Sequence, residues 1–211
     1  MNVILFDFDG TIADTFDAIL AIGNRLADEF GYKPVDREAV RQLQSLNTRQ
    51  VLKQARVPIF KLPALLRRIR VELNAEIHKA KPISGIETAL HALRQRGNHL
   101  GIVTSNSADN VALFLKRHHL ETYFEFVSSG ATLFGKSRTI RRLLKQKNLA
   151  SATVIYVGDE TRDIEAARKL AIKIVSVSWG FNSGEILLTQ KPDMLVHQPF
   201  ELVEAVDRLC G

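Results

Sequence analysis

Apolar and β-branched residues gather in short unbroken runs at Val3–Phe6, Leu100–Val103, Phe124–Val127, Thr153–Val157, Ile172–Val177 and Asp193–Val196. Runs of this length without polar alternation predict strands covered on both faces. Between them, in Ile86–Arg96, Ala108–His118, Ser137–Lys147 and Asp163–Leu170, apolar residues recur three and four positions apart, the period of an amphipathic helix. Parallel neighbours need a connection of helical length, so strand alternating with helix predicts a parallel, Rossmann-like α/β core.

Residues 13–81 interrupt this rhythm. No strand is predicted there, and helical spacing runs through Phe16–Phe30, Arg37–Leu46 and Leu62–Lys79. Lys81-Pro82 closes the stretch, because proline disfavours helix at the residue before it. The expected organisation is a core of residues 1–12 and 82–211, with an α-helical insert of residues 13–81 entering after the first strand. Neither an internal repeat nor a low-complexity segment is present.

A hydrophobic content of 45%, a charged content of 25% and 6 Pro describe a chain that folds, not a disordered or fibrous one. The single cysteine, Cys210, can form neither an internal disulfide nor a thiolate metal cluster, which points to a reducing, cytoplasmic setting. The opening run ends at once in Asp7 without a basic n-region, and no stretch approaches the ~20 apolar residues of a membrane span. Neither secretion nor membrane insertion is expected. Formal charge is +6, and its distribution is uneven: Arg37 to Arg70 holds nine Lys or Arg against the single acid Glu38. Such a stretch either forms a solvated helical face or attracts an anionic substrate or partner. A nucleic-acid site is not expected, since Phe60 is the only aromatic in it.

Four polar clusters stand at or beyond the C-terminal ends of predicted strands, the edge where open α/β sheets bind ligands. They are Asp7-Phe8-Asp9-Gly10-Thr11, Thr104-Ser105-Asn106, Lys136 at the start of a helix, and Gly158-Asp159-Glu160-Thr161-Arg162-Asp163. Clustered carboxylates repel one another and call for a hard cation such as Mg²⁺, which prefers oxygen donors. A lysine and backbone N–H groups at a helix start suit phosphate. Metal plus phosphate is therefore the chemistry expected at this edge.

In that order, Asp7-Phe8-Asp9-Gly10-Thr11, Val103-Thr104-Ser105, Phe134-Gly135-Lys136 and Val157 to Asp163 resemble the four signature motifs of haloacid dehalogenase (HAD) superfamily phosphatases. The resemblance spans nearly the whole chain. It implies a HAD-like core with a helical cap, a phosphoric monoester hydrolase activity, Mg²⁺ as cofactor and a small phosphorylated metabolite as partner, in a monomer or homodimer. Asp7 is then the nucleophile that forms an aspartyl-phosphate, and Asp9 the acid for the leaving oxygen and afterwards the base for water. Asp7 and Asp159 hold the metal through their side chains and Asp9 through its carbonyl, while Lys136 adds a second positive group. Asp163 orients metal waters or Lys136. Thr104 and the Ser105 N–H hold the phosphate, and Gly10, Thr11 and Asn106 are grouped with them. Asp9 separates phosphatases from the similar dehalogenases, because a departing halide needs no proton.

Two further segments bear on the substrate. Trp179-Gly180-Phe181-Asn182-Ser183, followed by Lys191-Pro192-Asp193, resembles phosphoglycolate phosphatases. Gln44-Ser45-Leu46-Asn47 stands where such caps carry a glycine-containing pocket loop, here without glycine. The duller readings are a turn at Asp9-Gly10, a helix cap made by Thr104 to Asn106, a surface lysine at 136, a dipole-favoured acid at 163 and a packing role for Trp179. Other functions weighed are a sugar-phosphate mutase, a pyrophosphatase, and a catalytically silent protein that docks an anionic partner through the basic stretch.

Overall fold

The computed structural model describes residues 2–132 and 135–210, without the side chains of Arg37, Glu38 and Ile59. Phe134 of the Phe-Gly-Lys segment and the side chains of Arg37 and Glu38 in the basic stretch thus lie outside the described residues. The chain begins with β1 (Val3–Phe6) and β2 (Ala13–Asp14), followed by α1 (Phe16–Phe30), α2 (Arg37–Gln44), α3 (Thr48–Gln54) and α4 (Leu62–Glu76). It continues through β3 (Lys81–Pro82), α5 (Ile86–Gln95), β4 (His99–Val103), α6 (Ala108–Arg117) and β5 (Phe126–Ser128). Then come α7 (Lys136–Gln146), β6 (Val154–Gly158), α8 (Thr161–Arg168), β7 (Lys173–Val177), α9 (Gly184–Thr189), β8 (Met194–Val196) and α10 (Glu201–Cys210).

Six strands form one sheet in the order β5-β4-β1-β6-β7-β8. All of its pairings are parallel, which is the α/β architecture the sequence predicts. β1 is the third strand across, and the chain moves from it to β4 on one side and later to β6 on the other. The crevice at the C-terminal tip of β1 is therefore the topological switch point of the sheet. Ile4, Leu5 and Phe6 are fully buried, each contributing about 1.5–3 kcal/mol on leaving water. Alternate residues serve opposite faces: Ile4 and Phe6 pack with Leu90, Phe114 and Leu202, whereas Val3 and Leu5 pack with Ile140, Leu144 and Ile164. With both faces covered, β1 is fixed in height and twist, and so is the residue that follows it.

The insert was expected to hold no strand, and here the structure corrects the sequence. Ala13–Asp14 pairs antiparallel with Lys81–Pro82, so the chain leaves and re-enters the core through a two-stranded ribbon. Two-residue strands carry no periodicity, which is why apolar pattern alone cannot register them. Between these strands every regular element is helical. α1 buries Ile22, Leu26, Ala27 and Phe30, and α4 buries Leu62, Leu65 and Leu73. Arg25 bridges Glu72 and Glu76 across the exposed side of this pair, where water screens the contact and leaves it little weight.

Three helices had no expectation behind them. α3 is short and has no buried residue; a capping box between Asn47 and Gln50 starts it locally. α9 is a single short helix capped by Ser183, and α10 places Leu202, Ala205 and Val206 against the sheet. β5 starts later than expected because Glu121–Tyr123 forms a 3-10 turn, leaving Phe124 edge-on to Phe6 at 6.1 Å. Among the described residues no helix is long and apolar enough to cross a membrane.

Candidate active site

Asp7 continues the β1 ladder by donating its N–H to Val157 O at 2.8 Å, which sets its side chain at the switch point. It is 2% exposed. Its Oδ1 accepts the Phe8 N–H at 2.9 Å and its Oδ2 accepts Lys136 Nζ at 2.6 Å. The chain then doubles back: the N–H groups of Ile12 and Ala13 both donate to Phe8 O, while Phe8 buries its ring against Phe114 at 5.1 Å. Gly10 stands in this turn with φ +76°, and a Cβ there would lie 2.6 Å from Phe181 Cδ2 and inside the shell of Asp159 Oδ2. Glycine is required by both the backbone and the neighbour.

Lys136 opens α7, where it is buried, and reaches both Asp7 and Asp163. The surface-lysine reading is thereby set aside. Burial works against its ammonium, but the charges of Asp163 and Asp7 prevail and hold it above the ordinary lysine value. Asp163 sits in the first turn of α8, fully buried, with its other oxygen accepting the Glu160 N–H at 3.1 Å. Its place there is both a helix cap and the counter-ion of Lys136.

Asp159 follows β6 and is fully buried. Its oxygens accept the Thr11 hydroxyl at 2.8 Å and the Phe181 N–H at 2.7 Å. Thr11, grouped above with phosphate contacts, instead gives its hydroxyl to this carboxylate, and Gly10 packs against it. Acidic oxygens of Asp7, Asp159 and Asp163 lie within 4.8 Å of one another. Desolvation, then the charges of Glu160, Asp7 and Asp163, push the Asp159 carboxyl well above its usual range. Lys136 pairs with the other two members, but among the described residues no cation pairs with Asp159. Three carboxylates against one ammonium leave two negative charges, and an all-oxygen set of that charge fits a hard divalent ion. Asp163, expected behind the metal ligands, is close enough to belong to the same set.

Asp9 faces a different environment. Its carboxylate accepts the Thr15 hydroxyl at 2.9 Å and both of its oxygens accept Asn106 Nδ2 at 3.0 Å. Burial first, then the charge of Asp7, raise it to about 7, against the pull of those hydrogen bonds. Asn106 thus serves Asp9, and its own oxygen accepts from the Ser107 N–H and Asn110 Nδ2. Thr104 Oγ1 accepts the Asn106 N–H at 2.9 Å, and Ser105 lines the cavity beside Asp9. The cap of α6 is Ser107, one residue beyond the candidates named from sequence. Two carboxyls two residues apart, one ion-paired and one near neutrality, are an arrangement able to divide nucleophile from proton carrier.

Sequence reasoning missed several supports. Thr15 has no signal of its own, since only folding brings it to Asp9. The Trp179–Ser183 segment stood out as a resemblance but not as a brace. Its Trp179 Nε1 donates to Thr11 O at 3.2 Å, and Asn182 Oδ1 accepts the Thr161 N–H at 2.9 Å. Asn182 Nδ2 donates to Leu46 O at 3.0 Å, and the Ser183 N–H donates to Gln44 O at 2.9 Å. The Gln44–Asn47 loop thus meets the core through backbone carbonyls, which no side-chain motif announces.

A parallel sheet with an acidic trio at its switch point defines a hydrolase class built around a strand-tip aspartate. Within it, the chain belongs to the haloacid dehalogenase-like hydrolase family, whose model matches residues 4–177, and it is a phosphatase-type enzyme. It is 37% identical to a phosphoglycolate phosphatase of Synechococcus elongatus over 99% of both chains. It is 29% identical to a phosphoglycolate phosphatase of Xanthomonas campestris, covering 96% of this chain and 95% of that one. Among solved structures, a predicted phosphatase from Clostridium acetobutylicum superposes with a TM-score of 0.83 at 24% identity, covering 98% of each chain. A haloacid dehalogenase-like family protein from Streptococcus pneumoniae gives 0.78 at 21% identity and the same coverage, a likeness of fold.

Proposed function

We propose that this enzyme is a Mg²⁺-dependent phosphatase that hydrolyses a small phosphomonoester through an aspartyl-phosphate on Asp7, with phosphoglycolate the leading substrate. The observation that carries the reading is Asp7 itself, held at the β1 tip by Lys136 at 2.6 Å and sharing a 4.8 Å cluster with Asp159 and Asp163. Phosphoglycolate follows from the 37% identical relative that covers the full chain. A cytoplasmic location accords with the unpaired cysteine.

In this reading Asp7, Asp159 and the Asp9 carbonyl hold the ion, with Asp163 beside them. When bound, Mg²⁺ neutralises the approach of an anionic carboxylate to an anionic phosphate. Lys136 keeps one Asp7 oxygen in place, leaving Asp7 to attack phosphorus and take the phosphoryl group as the leaving oxygen departs. Asp9, protonated near neutrality, gives that oxygen its proton and then, as carboxylate, takes one from the water that cleaves the aspartyl-phosphate. Thr15 and Asn106 keep its carboxyl at the right height. The Thr104 hydroxyl and Ser105 N–H hold the transferring phosphate. Residues 13–81 act as a cap that closes over these groups and excludes water, with core segments 1–12 and 82–211 beneath it.

The test is phosphate release from phosphoglycolate, with and without Mg²⁺, by wild type and Asp7→Asn. Wild type should turn over only with the metal, and Asp7→Asn should lose turnover while unfolding at a similar temperature, since amide and carboxyl are nearly isosteric. Undiminished turnover in Asp7→Asn removes the mechanism.

A further inference from the structure

Of the basic residues between Arg37 and Arg70, the last turns inward. Arg70 of α4 lines a cavity of about 190 Å³ whose other polar walls are Asp9, Ser105, Asn106, Glu160 and Arg162. The cavity adjoins the proton-carrying carboxyl and lies between α4 and the strand tips, so anything bound there is next to a phosphate held by Asp7. Its size is below the ~300–1,000 Å³ usual for small-molecule sites, which limits the occupant to a few heavy atoms.

The charges on its walls are unbalanced in a particular way. Asp9 is committed to Thr15 and Asn106. Glu160 is committed to Arg162, accepting Nε at 2.8 Å and one terminal nitrogen on the same oxygen. The other terminal nitrogen of Arg162 is buried with no acceptor. Among the described residues the Arg70 guanidinium makes no ion pair, and burial together with the Arg162 charge pushes it below the ordinary arginine value. Two cations among the walls of one small cavity, one of them without an ion pair, leave a place for an anion.

We infer that Arg70 and Arg162 bind a second anionic group of the substrate, a carboxylate a short spacer away from the reacting phosphate. This deepens the proposed phosphatase reading and rests on it for the position of the phosphate. A guanidinium fork matches a carboxylate in plane, and the α4 arginine makes closure of the cap over the core dependent on that group. A monoester without a second charge leaves Arg70 without an ion pair and should bind less well. Arg70 is thus a specificity residue, while Arg162 is both wall and strut for Glu160.

Binding of two non-hydrolysable ligands, measured by calorimetry with Mg²⁺ present, tests this without turnover. The ligands are 3-phosphonopropionate, with phosphonate and carboxylate, and propylphosphonate, which lacks the carboxylate. Wild type is expected to favour the first by about 10- to 100-fold, the range of a hydrogen-bonded charge pair. Arg70→Gln should erase most of that preference with little change for propylphosphonate, and Arg70→Lys should restore part of it. Equal affinities in wild type, or a preference untouched by Arg70→Gln, overturns the inference. A protein that keeps the preference but releases no phosphate from any ester loses the proposed activity and retains this site.

Discussion

Asp7 and Asp9 are separated by one residue and meet opposite surroundings. Asp7 lies against the Lys136 ammonium, whereas Asp9 meets only neutral hydrogen-bond donors directly and is raised to about 7. The intervening Phe8 is the cause, because its buried ring forces the turn that sends its neighbours to different sides. If Asp9 carries protons, then Asp9→Asn removes proton transfer but neither nucleophile nor metal ligand, its carbonyl being retained. Steady-state assays with phosphoglycolate should show kcat lower by about 10²- to 10⁴-fold with a small change in KM. A kcat within a few-fold of wild type would assign the proton to another group.

At the scale of elements, the unusual feature is how much one loop joins. Residues 179–183 touch the first turn through Thr11, the β6 tip through Asp159, the start of α8 through Thr161 and the α2–α3 loop through Gln44 and Leu46. Gly180 makes the approach possible, since a Cβ there would stand 2.5 Å from Asp159 Cγ. Gly180→Ala must shift either the carboxylate or the loop, and both routes disturb Asp159, a ligand of the ion in the proposed mechanism, through its support. The Mg²⁺ concentration for half-maximal activity is expected to rise about 10- to 100-fold, the usual cost of losing such a support. An unchanged Mg²⁺ requirement would show that Asp159 does not depend on this loop.

For the whole molecule, the buried acidic groups are a liability to folding that the proposed metal would relieve. Without an ion, burial and mutual repulsion raise Asp163 to about 6 and Asp9 to about 7, and Asp159 also rises, from an ordinary 3.8. A carboxyl held high in the folded state stays protonated while its unfolded counterpart ionises. Its contribution to stability is therefore complete below 3.8 and is lost as pH climbs through the folded values. Mg²⁺ held as proposed would bind the ionised cluster, so its stabilisation would run the other way and grow with pH. Thermal unfolding should show a larger Mg²⁺-induced rise in midpoint at about pH 8 than at about pH 5, where protons compete for the same oxygens. An equal rise at both would place the ion elsewhere.

The order of strands and helices was legible because apolar period is a local property: Val3–Phe6 cannot be exposed on either face, and Ala108–His118 can bury only one. The motif residues were legible for a related reason, since chemistry demands particular side chains and the sheet edge puts them at strand ends. What stayed hidden was everything made by partners far apart in the chain. The ribbon of Ala13–Asp14 with Lys81–Pro82 is too short to have a period. Thr15 and Asn106 reach Asp9, and Asn182 reaches Gln44, through bonds whose members show no pattern until the chain is folded. The inward turn of Arg70 is of the same kind. Sequence alone determined which groups the chain has to work with and the sheet that carries them. Tertiary structure decided which group faces which, because burial and hydrogen bonding at a site are set by neighbours in space.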